Sequence, residues 1–340
     1  PTFLGDNARR GGGSGEPAGT PSTPVWKREL PGMVVSSPVL QEELLYLACM
    51  DGSLYALDAN SGQTRWSFAA TGAIHSTPAV ADGLVLFADA SGVLYALEAG
   101  TGKLAWQADA GGAAWSSPSI LQGVAYQGTT GARLRSFELR TGRRDWDIEL
   151  TGGTCSTAFV TGDRVYIGTG DGRVMAYETG SGRKSWEART DGPVLSSPAF
   201  SSGLVLVGSE DQFFYALDAQ DGRIRWRYRA AQGFVAPSAC DGGSVYAGCK
   251  DGYVYSLQIS DGKLEWKARV PDIVCGAPAV TPGYVCVQPY GGPLAALERS
   301  SGREVWKVRL GAALQSTPVL TGDRMFLANY RGVVYALRCS

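Results

Sequence analysis

Eight tryptophans recur along this chain at a constant spacing of 40 residues. They are Trp26, Trp66, Trp106, Trp146, Trp186, Trp226, Trp266 and Trp306. Only Trp115 lies outside the series. A constant period indicates a repeat protein in which each repeat is one supersecondary unit. A period of about 40 residues is typical of the four-stranded blade of a β-propeller, so the spacing predicts a propeller rather than a helical solenoid.

Each repeat is patterned as four short β-strands. In the second repeat we predict an inner strand that opens at 76–80, a second strand over 84–88, a third over 93–97 and a fourth over 103–108. Turn-forming Gly, Asp and Ser separate these segments. Glycine also lies four residues before seven of the eight tryptophans, which predicts a repeated hairpin turn. We expect each tryptophan to pack as a large plate between blades.

The two ends of the chain hold complementary parts of one blade. Residues 23–30 are patterned as a fourth strand without the three strands that precede it in other repeats, and the chain ends in a third strand, 335–338, without its fourth. Pairing the two would close the ring and leave no open sheet edge. We therefore predict an all-β, eight-bladed β-propeller of four-stranded antiparallel blades over residues 23–340. Residues 1–22, rich in Gly, Pro, Ser and Thr, are predicted to be a leader or linker.

The composition excludes some classes of partner. The chain has 31 basic and 32 acidic residues and a formal net charge of −1, so charge-driven binding of nucleic acid or an anionic membrane is not expected. No apolar stretch reaches the roughly 20 residues that cross a bilayer, so no transmembrane segment is predicted. The chain begins at Pro1 rather than Met, which indicates a processed or excised form. A monomer is favoured, with the oligomeric state left open.

The seven cysteines are scattered singly, with no CxxC, CxxCH or vicinal pair. We expect most of them to be unpaired thiols, which weakly favours a reducing compartment or deep burial. One histidine and dispersed cysteines also lack the spacing of metal ligands, so no metal site is predicted.

Three motifs recur with the tryptophan period. An inner-strand Ser-Ser-Pro or Ser-Thr-Pro occurs at 36–38, 196–198 and 316–318, a D-G-x-x-Y-A-L-D strand occurs at 51–58, and most repeats carry an x-S/T-G-x-x-x-W hairpin. Together these motifs resemble the PQQ-like repeat family of β-propellers, and the resemblance covers nearly the whole chain.

The resemblance implies three kinds of relative. Some are quinoprotein dehydrogenases, some are binding scaffolds similar to BamB of the outer-membrane β-barrel assembly machinery, and some are sensor or accessory domains of kinases or adenylate-forming enzymes. A BamB-like role implies a periplasmic or extracellular location, whereas unpaired cysteines also suit the cytoplasm. Quinoprotein alcohol dehydrogenases resemble one another in a vicinal Cys-Cys disulfide, a Trp platform and a calcium site. This chain has no Cys-Cys pair and no insertion that could build a calcium site, so we expect neither PQQ nor another cofactor.

Function in a propeller usually lies on the face that carries the loops between blades and the loops between second and third strands. When the repeats are aligned, one position on this face directly precedes the inner Ser-Ser-Pro motif. We expect its occupants to ring the mouth of the central channel. They are Val35, His75, Trp115, Cys155, Leu195, Val235, Cys275 and Gln315.

Aromatic and charged residues concentrate on the same face, mainly on blades six to eight. Tyr, Trp and Arg dominate the energetics of protein interfaces, and an aromatic mouth also suits flat or sugar-like ligands. Surface loop residues with no role in binding would give the same pattern. The predicted partner-binding or ligand-binding residues are Trp115, Phe234, Lys250, Tyr290, Tyr330 and Arg331.

A catalytic alternative uses His75, Asp89 and Cys155. The histidine and the aspartate belong to one blade and the cysteine lies two blades further round, so a Cys/His/Asp nucleophilic arrangement is conceivable. The competing interpretation is a hydrogen-bonded wall residue in the channel, which a lone histidine without a spacing signature usually is.

The sequence favours a non-catalytic binding or scaffold propeller that holds a protein partner or an extended ligand on its loop-rich face. Two alternatives stay open: an enzyme centred near His75, Asp89 and Cys155, and a sensor or accessory domain of a larger polypeptide.

Overall fold

The protein is described by a computed structural model, which covers residues 21–311, 313 and 316–339. These residues form 32 β-strands in eight four-stranded antiparallel sheets. The described residues include no helix, so this part of the chain contains no helix that could span a membrane. The predicted leader, 1–22, falls almost entirely outside the described part of the chain.

Each sheet is one blade, and in blades 1 to 7 the innermost strand comes first in the chain. The strands of blades 1 to 4 are β2 (Val39–Gln41), β3 (Leu44–Ala48), β4 (Ser53–Asp58) and β5 (Thr64–Ala69); β6 (Ala79–Ala81), β7 (Leu84–Ala88), β8 (Val93–Glu98) and β9 (Leu104–Asp109); β10 (Ser119–Leu121), β11 (Val124–Gly128), β12 (Arg133–Glu138) and β13 (Arg144–Glu149); β14 (Phe159–Val160), β15 (Arg164–Thr169), β16 (Arg173–Glu178) and β17 (Lys184–Arg189). The strands of blades 5 to 8 are β18 (Ala199–Ser201), β19 (Leu204–Gly208), β20 (Phe213–Asp218) and β21 (Ile224–Arg229); β22 (Ala239–Asp241), β23 (Ser244–Gly248), β24 (Tyr253–Gln258) and β25 (Leu264–Arg269); β26 (Ala279–Val280), β27 (Tyr284–Val287), β28 (Leu294–Glu298) and β29 (Glu304–Val308); β30 (Val319–Thr321), β31 (Arg324–Ala328), β32 (Val333–Cys339) and β1 (Pro21–Glu29).

The ring closes in the predicted way, because the first strand completes the last blade. Strand β1 pairs antiparallel with β32, with Pro21 opposite Cys339 and Glu29 opposite Val333. The indole N–H of Trp26 then donates to the Ala59 carbonyl of blade 1 at 3.0 Å. The two termini of the described chain are thus joined by a sheet, and the eight-bladed all-β prediction is confirmed.

Seven of the eight repeat tryptophans, all except Trp306, anchor their blade to the next one through the indole N–H in the described structure. Trp66 of blade 1 donates from its indole N–H to the Ala99 carbonyl of blade 2 at 3.0 Å. Gly102 lies in the same turn of blade 2 with φ +72°, and a Cβ there would approach the Trp66 ring to 2.5 Å. The repeated glycine is therefore required for two reasons. Its φ is positive, and the tryptophan ring leaves no room for a side chain. The glycines at 62, 142, 182, 222, 262 and 302 repeat the arrangement.

A belt of hydroxyl groups joins the blades around the channel, and it explains the recurring Ser/Thr before proline. The backbone N–H of one blade donates to the hydroxyl at the same repeat position of the next blade, at 2.9–3.0 Å. A further link runs from the Thr317 N–H to Ser37 Oγ and joins the last blade to the first. Pro237 and Ala277 occupy the same position without a hydroxyl, so the belt is interrupted in blades 6 and 7. Because the residues before the inner strand make these bonds, the inner strand of blade 2 begins at Ala79 and not at the predicted 76.

Two faces result. The mouth face carries the loops from one blade to the next and the loops between second and third strands. The turn face, opposite, carries the hairpins between first and second strands and between third and fourth strands.

Candidate binding face at the channel mouth

The predicted ring at the channel mouth is present. Six of its eight members line a cavity of about 240 Å³, with hydroxyl-belt residues such as Ser37 and Thr77 also on its wall. These six are Val35, His75, Trp115, Cys155, Leu195 and Cys275. Val235 is half-buried and does not line the cavity, and Gln315 lies outside the described residues. The mouth is therefore bordered by apolar, aromatic and thiol side chains over a polar wall.

Trp115 is the most exposed large apolar side chain of the described chain, with 55% of its surface accessible. Its ring stacks on His75 with centroids 5.1 Å apart and planes 19° from parallel. Burial lowers the pKa of His75, which keeps the imidazole neutral at pH 7 and leaves it an uncharged stacking partner. The pair presents a rigid aromatic surface on one side of the mouth.

Tyr290 and Tyr330 form a second aromatic pair, on blades 7 and 8. Their rings meet edge to face with centroids 5.6 Å apart, and 39% of the Tyr290 surface is accessible. Each backbone N–H donates to the preceding inter-blade loop, from Tyr290 to the Ile273 carbonyl and from Tyr330 to the Ala313 carbonyl, both at 2.9 Å. Burial raises the pKa of Tyr330, and the neighbouring Tyr290 raises it further, so the Tyr330 phenol stays protonated near neutral pH. The structure thus brings these two predicted residues together on fixed loops.

Lys250 is held by a carboxylate from the neighbouring blade. Its Nζ lies 3.0 and 3.2 Å from the two carboxylate oxygens of Glu210, and both side chains are partly exposed. Glu210 was not among the predicted residues, although it occupies the same repeat position as Lys250 one blade earlier. Alignment of the repeats could have indicated this pair. Arg331 is exposed in the corresponding loop of blade 8, where its N–H donates to Asn329 Oδ1 at 3.0 Å.

Phe234 does not belong to the mouth, and its prediction as a partner-binding residue is wrong. Its side chain is fully buried and packs edge to face against Phe214 and Tyr255, at 5.5 and 5.6 Å. It lies one residue before the mouth position, where side chains point into the interface between blades. Space for it exists because blade 5 has Gly208 opposite, where a Cβ would come within 2.4 Å of Phe234 Cβ.

The catalytic alternative is not assembled among the described residues. Asp89 is fully buried, and its carboxylate accepts six hydrogen bonds of 2.7–3.3 Å that tie its own turn to the preceding inter-blade loop and to β8. The donors are Thr71 Oγ1, Gly72 N, Ser91 N, Ser91 Oγ, Val93 N and Tyr95 OH. Burial alone would raise the pKa of Asp89, but these hydrogen bonds outweigh it, and the pKa is lowered. His75, in the loop before the inner strand of the same blade, makes its ring contact with Trp115.

Cys155 is an exposed free thiol whose pKa is raised by partial burial. A nucleophilic cysteine needs the opposite shift, because the thiolate is the reactive form. We therefore expect Cys155 to be alkylated by iodoacetamide more slowly than free cysteine at pH 7, with its rate rising at a higher pH than that of the free amino acid. Peptide mapping by mass spectrometry measures this rate, with Cys155→Ser as the blank. Labelling at pH 7 as fast as free cysteine would indicate an activated thiolate and restore the catalytic alternative.

Within residues 21–311, 313 and 316–339, no group of three His, Cys, Asp or Glu side chains is placed to hold a metal ion.

The periodic residues and the ring they build have known counterparts. The family described as outer membrane protein assembly factor BamB, a PQQ-repeat family, matches residues 20–159, 149–273 and 271–339. The chain belongs to this family. No curated protein matches the chain.

Solved structures agree with this BamB-family assignment at the level of the fold. The BamB structure from Moraxella catarrhalis is similar with a TM-score of 0.81 and 17% identity, over 93% of this chain and 99% of that one. The quinohemoprotein alcohol dehydrogenase from Comamonas testosteroni gives a TM-score of 0.82 at 14% identity, over 100% of this chain and 80% of its own. The computationally designed Ika8 protein gives 0.82 at 15% identity, over 91% and 98%. An assembly factor, an alcohol dehydrogenase and a designed protein share the architecture, so the fold alone does not fix the activity.

Proposed function

We propose that this BamB-family propeller is a non-catalytic binding protein whose mouth face holds a protein partner. The observation that carries the proposal is the position of its exposed large apolar side chains. Four of the nine in the described chain lie on the mouth face: Met33, Trp115, Leu195 and Tyr290. The other five lie on outermost strands of five different blades: Val25, Leu104, Ile224, Leu264 and Val305.

The kinds of side chain at the mouth support a protein partner. Trp and Tyr supply large contact areas with little conformational entropy to lose, and Trp115 and Tyr290 are each already held by a ring contact. The cavity of about 240 Å³ is smaller than the roughly 300–1,000 Å³ of typical small-molecule sites. A partner protein could insert one side chain into this cavity and contact the loops around the mouth.

A capture experiment tests the proposal. Tagged wild-type protein and a Trp115→Ala, Tyr290→Ala variant are used to capture partners from soluble and membrane fractions of the source cell, with quantitative mass spectrometry. The matched control, Leu104→Ala, Leu264→Ala, removes two exposed apolar side chains from outermost strands. We expect a partner that wild type and control retain and that the mouth variant binds about 30-fold more weakly, as loss of one hot-spot residue of about 2 kcal/mol implies. A partner bound equally by all three proteins would contradict a binding site at the mouth.

A further inference from the structure

The outermost strands of blades 5, 6 and 7 carry a cluster of positive charge. In these three blades the first and third residues after the repeat tryptophan are all Lys or Arg, and all six are exposed. They are Arg227, Arg229, Lys267, Arg269, Lys307 and Arg309, here called the basic rim. The formal net charge of −1 hides this local excess.

The same positions in blades 2 to 4 provide an internal comparison. There the residues are Gln107, Asp109, Asp147, Glu149, Glu187 and Arg189. The acids are neutralised by arginines of third strands, in the same blade or the next one: Arg135 lies 2.9 Å from both Asp109 and Asp147, and Arg133 and Arg173 contact the others. Protection of an exposed sheet edge is therefore achieved in these blades with paired charges.

Three of the six cations of the basic rim lie over aromatic rings, at a third-strand position where blades 3 and 4 have arginines. The Arg227 and Arg229 guanidinium carbons lie 4.5 and 5.8 Å from the Phe213 ring centroid, and Lys267 Nζ lies 5.0 Å from that of Tyr253. Among the described residues, the one ion pair made by the rim joins Lys307 to Glu304 at 2.8 Å. Cation–π contacts position these cations without neutralising their charge.

The rim is continuous with the mouth face. Arg229 and Arg269 end their strands and Arg309 follows the end of β29, so each directly precedes an inter-blade loop. Residues two apart on a strand are about 6.8 Å apart, which is also the spacing of alternate residues in an extended peptide. We propose that the basic rim binds an extended acidic segment of a protein partner, an inference that rests on the proposed function and names the chemistry of the bound partner.

The test uses a probe that needs no natural partner. Fluorescence anisotropy follows a fluorescein-labelled peptide of alternating glutamate and serine, with alternating glutamine and serine as the neutral comparison. The rim variant is Arg229→Gln, Arg269→Gln, Arg309→Gln. The control variant, Lys103→Gln, Arg140→Gln, Arg223→Gln, removes the same charge from exposed turns of the turn face. Thermal denaturation checks that both variants fold.

We expect wild type to bind the acidic peptide with an affinity that falls as salt rises, and not to bind the neutral one. Three surface ion pairs together account for roughly a tenfold change in affinity, so the rim variant should bind about tenfold more weakly and the control variant within about twofold of wild type. Absence of wild-type binding, or equal weakening in both variants, would overturn the inference. Tighter, rim-dependent binding of oligodeoxythymidylate would also overturn it, in favour of a nucleic acid.

The two proposals fail separately. The Trp115→Ala, Tyr290→Ala variant keeps the basic rim and should bind the acidic peptide as wild type does. If the rim variant alone loses the peptide but no mouth variant affects partner capture, the acidic site stands and the mouth site fails. If partner capture depends on the mouth while the peptide does not distinguish rim from control, the mouth site stands and the acidic site fails.

Discussion

Replacing Phe234 with alanine is expected to lower the free energy of unfolding by about 3–5 kcal/mol, the cost of truncating a buried aromatic side chain. The side chain is fully buried between Phe214, Tyr255 and the glycine at 208, and none of these can move into the space it leaves without disturbing the interface between blades 5 and 6. Guanidinium titration followed by tryptophan fluorescence measures the change.

Trp115→Ala is the matched control for Phe234→Ala. It removes a larger aromatic side chain, but one that is 55% exposed and has a single ring contact, so the loss of stability should be under about 1 kcal/mol. Similar losses of stability in the two variants would contradict the assignment of Phe234 to the core and Trp115 to the mouth. A Phe234→Ala protein of wild-type stability would mean that this residue is not part of the core.

Deleting residues 1–29 is expected to have a larger effect, because it removes the strand that closes the ring. Strand β1 is paired with β32 at six positions, and Trp26 packs against Phe326 with centroids 6.0 Å apart. At about 1 kcal/mol for each lost backbone hydrogen bond, the truncated protein should lose about 5 kcal/mol or more. The apolar strand β32 also becomes an open edge, so we expect self-association through it. Thermal denaturation and size-exclusion chromatography with light scattering measure both effects.

A circular permutant tests whether the pairing of β1 with β32, rather than the length of the chain, stabilises the ring. Pro21 lies opposite Cys339, so the sequence 21–29 can follow β32 after a short turn of the kind that joins third and fourth strands elsewhere. We expect the permutant to be monomeric and as stable as the intact chain. If truncated and permuted proteins behave alike, pairing of β1 with β32 is not what holds the ring closed.

The periodic part of the structure was predictable from sequence. Trp66 and Gly102 show why: each recurs at 40 residues because seven of the eight blades meet the next blade through the same indole and the same turn. The closing strand was predictable from the patterning at the two chain ends. These features are local in sequence or repeat at a fixed interval, and a single sequence is enough to reveal them.

The candidate site was predictable only in part. The position of Trp115 at the mouth follows from the repeat, and Tyr290 and Tyr330 follow from their loops. Phe234 was misplaced because its neighbour along the chain occupies the mouth position. A shift of one residue moves a side chain from the channel mouth to the core. Asp89 is buried among hydrogen-bond donors from its own turn, from the preceding inter-blade loop and from β8, which composition does not reveal.

The contact between Gly208 and Phe234 limits how such a ring can change over time. A large side chain on the loop that enters one blade is accommodated by a missing side chain on the blade before it, and Gly248 and Val274 repeat the arrangement, with a Cβ at Gly248 reaching within 2.4 Å of a Val274 methyl carbon. A side chain as large as that of Phe234 therefore needs a glycine at this position of the preceding blade, and blades 3 to 6 all carry one, at 128, 168, 208 and 248. Although the backbones are alike, a blade that enters on a large side chain cannot follow any other blade, and Phe234 must be inherited together with a glycine in the blade before it.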